Sequence, residues 1–383
     1  MLISLYLNPR STDARLDLEV IDATIEQAVE ADAAGFSALL LTEHHFSGVN
    51  SYQDPFMLGA YLAPQLVNGA YLNIGVLCVP YHHPLRMVEY CNLLDVLTKG
   101  RLMVGLGSGG ITQLEYEAFG IDNSRKHEMM EQKIEIMLKA WARRPGDGPL
   151  DVSTEWDAGT LLGRLMPPSY RAPHPLLARV STRPEMMIDA GTRGWPLMFG
   201  LSPTPEQLEI YREALHGAGH PADVVEDGER WLCHTKYVWV AETDEEARAQ
   251  IQPTFDDIME KSGWVGAGRR YETAEDFLHQ TAIVGSPETV ARRIEESNAE
   301  YGVDHIRLWF NYWYLSDDLA GVRRSFRLFV DEVMPQLSVD RIPDPVHTIH
   351  TVTDGERYDI AMEGMDAELG ADQLLPGRVP QST

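Results

Sequence analysis

Residues 100–110 read GRLMVGLGSGG, and two folds compete for them. Arg101–Leu106 is an apolar run of strand length, and Gly105, Gly107 and Gly110 follow the spacing GxGxxG at its end. A dinucleotide-binding fold wants this fingerprint on its first strand. It also wants a helix opening at once and an acidic residue closing a second strand about twenty residues on. The run is instead the fourth strand-like segment, ITQLEYEAFGID follows it and ends in a glycine turn, and position 125 is Arg. The dinucleotide reading fails. The glycines read as small residues at a strand end, where something flat or phosphorylated can approach the backbone closely.

Outward from this segment the chain alternates. Upstream, strands are expected at Leu2–Leu7, Ala38–Thr42 and Tyr71–Val79. Helices are expected at Asp17–Ala34 (capped by Gly35), around Pro55–Val67 and at Leu85–Leu97. Downstream come a long helix from about Ser124 to Trp141 and strands at Leu176–Val180, Leu197–Phe199, Lys236–Val240 and His305–Phe310. Helices are expected at Glu185–Thr192, Pro205–His216, Asp244–Met259, Pro287–Tyr301 and Leu319–Met334. Alternation sustained over 1–337 predicts a parallel sheet covered by helices, and about eight such units favour a (β/α)8 TIM barrel over an open doubly wound sheet. Such a barrel needs roughly 250 residues. The surplus falls into insertions near 145–175 and 261–277, both candidate lids, and an acidic C-terminal extension at 338–383, read as a disordered tail or an arm on a partner subunit.

Composition narrows the function. With 32 Lys and Arg against 58 Asp and Glu, the formal charge of −26 repels nucleic acid and anionic membranes, so neither is expected as a partner. No stretch approaches the ~18–20 apolar residues of a membrane span. The opening MLISLYLNPR reads as a first strand, since a signal peptide needs a longer apolar core. Cys78, Cys91 and Cys233 are scattered, as in a reducing compartment, and a cytoplasmic location is expected.

The chemistry-bearing residues fall where strands end, which in a barrel is the mouth. GFSALLLTEHHFSG (35–48) ends a buried strand in Glu43, His44 and His45. Desolvating these groups costs several kcal/mol unless each finds a partner. Adjacent histidines point to opposite sides of a strand, so both can face the mouth only if the strand has already broken. A zinc site is poorly served by such a pair, even with His82 and His83 after the third strand, and no metal is expected. Val180-Ser181-Thr182-Arg183-Pro184 leads from a strand into a helix and offers an anion site, which Arg125 of DNSR (122–125) could also reach.

TEHHF (42–46), HPLRMVEYCNLLDVLTKGRLMVGLGSG (83–109), EYEAFGIDNSR (115–125), VGSPETVARRIEE (284–296) and GVDHIRLWFN (302–311) occur in this order. Together they resemble the bacterial luciferase-like, flavin-dependent monooxygenase superfamily. The resemblance implies a barrel that binds FMN at its mouth, usually as a homodimer, with His44 beside the reactive edge of the flavin and Glu43 fixing the tautomer of whichever imidazole it contacts. It also implies a cis peptide within Val76–Cys78, best placed at Leu77-Cys78, and ring or phosphate contacts from Leu77, Cys78, Gly107, Ser108, Arg125, Ser181, Thr182 and Arg183. Ser108 stands where luciferase has Arg, and Met186 where a second hydroxyl is usual.

The implied activity is that of a two-component monooxygenase. Reduced FMN from a separate flavin reductase and O2 would oxygenate a small apolar organic substrate through a flavin hydroperoxide. The rivals are a deazaflavin-dependent oxidoreductase of the same superfamily, a flavin-binding protein without catalysis and a zinc hydrolase.

Overall fold

A computed structural model describes residues 1–11, 13–46, 50–109, 113–144, 147–200, 202–260, 274–311 and 318–345. In chain order its strands are β1 (Leu2–Leu7), β2 (Ala38–Leu41), β3 (Tyr71–Cys78), β4 (Leu102–Gly107), β5 (Leu150–Asp151), β6 (Thr160–Leu161), β7 (Leu176–Val180), β8 (Leu197–Met198), β9 (His234–Val240), β10 (Ala282–Gly285) and β11 (His305–Trp309). Nine of them form one parallel sheet in the order β10-β9-β11-β1-β2-β3-β4-β7-β8. β1, β9 and β11 are buried along their whole length, as strands are when helices cover one face and neighbouring side chains fill the other.

The order is that of a (β/α)8 TIM barrel, with β10 as an additional strand. The two ends of the sheet meet at β9. β10 pairs with its second half, Tyr237–Val240. The segment after β8 reaches its first half, where the Ser202 hydroxyl donates to the Thr235 carbonyl (2.7 Å) and accepts from the Thr235 amide (3.3 Å). Arg307 of β11 adds a bond to the Phe199 carbonyl at 2.7 Å.

The helices begin and end where local chemistry dictates. Proline occupies the first position of Pro55–Leu62, Pro84–Leu97, Pro184–Arg193, Pro205–Gly217 and Pro287–Tyr301. Its missing N–H is no loss there, and its fixed φ suits the helix. Helix Asp17–Ala34 stops at Gly35, which takes φ 90°. The sequence did not indicate β10, the β5–β6 hairpin, or the helices Gln113–Phe119, Ala222–Arg230 and Ala274–Thr281. ITQLEYEAFGID, read above only as ending in a glycine turn, contains the first of these helices.

β3 departs from the expected geometry. Its register against β4 shifts between Gly75 and Leu77, so Val76 is the extra residue of a β-bulge. The bond Leu77-Cys78 is trans, and the cis bonds among the described residues are Met166-Pro167 and Ala172-Pro173. The bulge re-aims the strand end with trans peptides, whereas a non-proline cis bond costs ~2.5–4 kcal/mol. Room for the bulge comes from β4: a Cβ on Gly107 would lie 2.4 Å from Val76 Cγ2. Gly107 is therefore a packing glycine.

The insertion at 145–175 carries the β5–β6 hairpin and is fastened by Asp157, 3.2 Å from Lys133, and by Glu155 on Arg125. Residues 261–273 of the second insertion lie outside the described residues, as does 346–383. Residues 338–345 cross the floor of the barrel. The Met1 ammonium contacts the Ser338 carbonyl and Asp340, the Tyr71 hydroxyl donates to the Pro343 carbonyl, and Arg101 meets Asp344. No helix among the described residues is long and apolar enough to cross a membrane.

Candidate active site

β2 ends at Leu41, one residue earlier than expected, and this break lets Glu43, His44 and His45 leave strand alternation. The break is built. The Thr42 amide donates to the Tyr52 hydroxyl (3.0 Å), and the Asn50 amide group donates to the Thr42 carbonyl (3.2 Å) and hydroxyl (3.1 Å).

Glu43 is buried, and both its oxygens are engaged. Oε1 accepts from His45 Nε2 at 3.0 Å and His82 Nε2 at 2.5 Å, and Oε2 accepts from the Cys78 amide at 2.6 Å. Burial alone would push this carboxyl up. The His45 and His82 bonds, the His82 charge and the Cys78 amide overcome it and bring the pKa down to about 2. Burial works against the charged His82 ring too, but the bond and charge of Glu43 prevail and raise its pKa. The ionised carboxylate makes both rings donate from Nε2. Beneath it, Lys133 donates to the carbonyls of His82 (2.7 Å) and Pro80 (3.2 Å), anchoring the turn that carries His82.

His44 belongs to a different arrangement. Its ring is buried, and its Nδ1 makes no hydrogen bond. The neighbouring acid is Glu115 of helix Gln113–Phe119, fully buried, with Oε1 3.5 Å from that nitrogen. Glu115 also accepts from the His45 amide (3.4 Å) and the Tyr81 hydroxyl (3.3 Å). Around this acid stands an aromatic wall: Phe119 stacks on Tyr81 at 4.8 Å and meets His45 edge-on at 4.9 Å. Glu43, expected to fix an imidazole, does so for His45 and His82 rather than for His44.

A cavity of about 200 Å³ lies beside the ends of β4 and β7. Ser108, Ser181, Thr182 and Arg183 line it together with His127, Arg179 and Met186. Four of the expected cofactor-contacting residues thus converge. Helix Pro184–Arg193 opens here with no side-chain cap, so its N-terminus adds favourable potential for an anion. His127 Nδ1 is buried without a partner, and its pKa is lowered by burial, then by Arg183 and Lys126. The hydroxyls, the unpartnered imidazole nitrogen and the Arg183 guanidinium, whose Nε also meets Glu185 at 2.8 Å, suit a phosphate group.

Arg179 is committed elsewhere, to Glu131 (2.9 Å) and Asp189 (2.5 Å). Arg125 is not brought to this cavity. Glu128 (2.9 Å) and Glu155 hold its guanidinium, which lies 4.8 Å over Trp156. Leu77 and Cys78 are buried at the bulged strand end, with Cys78 Sγ 3.7 Å from the Glu43 carbonyl.

Glu115, Tyr81, His127 and Lys126 were not singled out from sequence. For Glu115 a signal existed: Glu115 and Phe119 stand four apart and so share a helix face, but only once EYEAF is read as a helix. His127 carried none beyond following DNSR.

The chain is 24% identical to 3,6-diketocamphane 1,6-monooxygenase of Pseudomonas putida, covering 87% of this chain and 97% of that protein. It is 26% identical to limonene 1,2-monooxygenase of Rhodococcus erythropolis, over 84% and 83% of the two chains. A solved type II Baeyer–Villiger monooxygenase, the oxygenating constituent of 3,6-diketocamphane monooxygenase from P. putida in complex with FMN, matches with a TM-score of 0.69. Its identity is 21%, over 89% of this chain and 100% of that one. Residues 1–305 match the model of the luciferase-like monooxygenase family, and the chain belongs to that family.

Proposed function

We propose that the protein is the oxygenating component of a two-component flavin-dependent monooxygenase. It would take reduced FMN from a separate flavin reductase and, with O2, oxygenate a small apolar organic substrate. The same reading makes it a cytoplasmic homodimer. One observation carries it: the anion cavity and the unpartnered imidazole of His44 are linked through adjoining residues. Ser108 lines the cavity, and its carbonyl accepts from the Tyr116 hydroxyl at 3.2 Å. Tyr116 follows Glu115, which faces His44. The FMN complex of the P. putida relative supports the choice of flavin.

When bound, reduced FMN supplies the electrons and activates O2. Ser108, Ser181, Thr182 and Arg183, which line one cavity, would hold its terminal phosphate. Leu77 and Cys78, fixed by the bulge and by the Cys78 amide bond to Glu43, would form the strand end offered to the flavin. Tyr81, with Phe119 stacked on it, would help shield the site from water, which would otherwise drain a reactive oxygen species before it meets substrate. His44 holds or passes one proton, a general acid–base role.

The test is binding and coupling on one preparation. Reduced FMN should bind more tightly than reduced FAD or a reduced deazaflavin. Substrate oxygenation should require an added flavin reductase or chemically reduced FMN, with NADH or NADPH alone failing. His44→Ala should lower coupled oxygenation about 10²–10⁴-fold and release hydrogen peroxide instead. Preferred binding of the deazaflavin, or efficient oxygenation driven by NADPH through this chain alone, would overturn the proposal.

A further inference from the structure

Around the ends of β2 and β3 the described residues include three imidazoles, His44, His45 and His82, and two buried carboxylates, Glu43 and Glu115, and they are not shared evenly. Both oxygens of Glu43 are occupied by His45, His82 and the Cys78 amide. None of that network reaches His44. The acid beside His44 is Glu115, whose Oε1 lies 3.5 Å from Nδ1. That nitrogen is buried, makes no hydrogen bond, and belongs to a ring with only 9% of its side chain exposed. We propose that Glu115 is the positioning residue of His44: its carboxylate receives Nδ1–H and so keeps Nε2 as the ring's proton acceptor.

A contact of 3.5 Å is too long for a hydrogen bond, and closing it to ~2.8 Å takes a ring movement of under an ångström. Catalytic hydrogen bonds are commonly long before ligands bind and tighten afterwards. Glu115 also accepts from the His45 amide at 3.4 Å and from the Tyr81 hydroxyl at 3.3 Å, which keep its carboxylate beside the ring. A carboxylate on Nδ1 does two things. It selects one tautomer, and it stabilises the imidazolium formed when Nε2 takes a proton. When the proton leaves Nε2 again, the Nδ1 proton stays with the ring and the acceptor is restored.

The inference rests on the reading of His44 as the mouth's acid–base group, but its test does not need flavin. In ¹⁵N-histidine-labelled protein without cofactor, long-range ¹H–¹⁵N spectra report the tautomer and pKa of His44, assigned by the loss of its signals in His44→Gln. The titratable group against the ring is Glu115 of the helix at 113–119; the neighbouring elements also carry Glu43 and His45 after β2, Cys78 at the end of β3, Tyr81 and His82 in the turn after it, and Tyr116 on the same helix.

Wild type should show the Nδ1–H tautomer. Glu115→Gln keeps a carbonyl acceptor, so the tautomer should persist while the pKa drops by about one unit. Glu115→Leu should lose the tautomer preference, and kcat for coupled oxygenation should fall about 10–100-fold while KM for reduced FMN stays within about threefold. An unchanged tautomer and pKa in both variants would show Glu115 to be a packing residue and overturn the proposal. If Glu115→Leu does not fold, Glu115→Gln decides alone: an unchanged His44 pKa overturns it. Failure of FMN to bind would remove the proposed function yet leave the spectra to decide the pairing.

Discussion

Replacing Glu43 by Gln tests whether one carboxylate holds the barrel mouth together. The pKa of Glu43 falls from the ordinary 4.5 to about 2 on folding. At ~1.4 kcal/mol per pH unit, its ionised form is favoured by about 3 kcal/mol in the native protein. Gln offers one oxygen and turns an NH2 donor toward N–H groups that now have no acceptor. The expected cost is therefore about 2–4 kcal/mol at pH 6.

The pH dependence gives the sharper result. A depressed carboxyl stabilises above pH 4.5, and that stabilisation is lost as pH falls from 4.5 toward 2. The raised His82 contributes fully below 6.5, and its share is lost as pH rises through its folded pKa. The difference between wild type and Glu43→Gln should thus be largest at about pH 5–6.5 and shrink on both sides. Urea midpoints at a series of pH values, with slopes unchanged between the two proteins, measure it. A difference under about 0.5 kcal/mol, or one of constant size from pH 3 to 9, would refute the argument.

Arg183→Ala should weaken FMN binding about 10–100-fold, as loss of a charge-assisted bond does, while Arg125→Ala should change it less than about threefold because Arg183 lines the cavity and Arg125, held by Glu128 and Glu155, does not. Equal losses in fluorescence titrations would put Arg125 back at the phosphate. Gly107→Ala should destabilise by about 1–3 kcal/mol, seen as a lower Tm, since its Cβ would fall 2.4 Å from Val76; an unchanged Tm would remove the bulge from the explanation. His234 and His305, both buried on the barrel's floor, have pKa values lowered by burial to about 3. Their stabilisation is full above pH 6.5 and is lost as pH falls toward 3. His234→Gln should therefore flatten the pH–stability slope between pH 5 and 4 by about 1.4 kcal/mol per pH unit, and an unaltered slope would contradict its buried neutral state.

The barrel was legible because its signals are local. Proline at five helix starts, glycine after Ala34 and apolar runs of strand length each report on a few neighbouring residues. Ser108, Ser181, Thr182 and Arg183 converged as expected because strand ends of a barrel share one rim. Two kinds of feature escaped. Short elements such as β10 and helix Gln113–Phe119 carry too little periodicity to stand out, and with that helix went Glu115. Partner choice also escaped: that Glu43 takes His45 and His82 while His44 faces Glu115 follows from where the chain leaves β2, which is set by Tyr52 and Asn50. Arg125 shows the converse. Its residue type suited a phosphate, but two glutamates reach it first, one of them from the β5–β6 insertion.

The join between β8 and β9 behaves like a buckle on a belt. β8 has two residues, paired on one side with Arg179 and Val180 of β7. Among the described residues no backbone ladder continues from it to β9, and the Ser202 hydroxyl spans the gap instead. A ring of strands breathes where fewest backbone bonds cross, so local opening should begin here and amides beside it should exchange first. The adjoining strand, β7, runs directly into Ser181, Thr182 and Arg183 at the anion cavity. A phosphate seated there, spanning the end of β4 at Ser108 and the end of β7, would tighten the strap next to its buckle. The cofactor would then be a structural member of the barrel as well as its reagent, and the empty protein would be the looser, more protease-sensitive form.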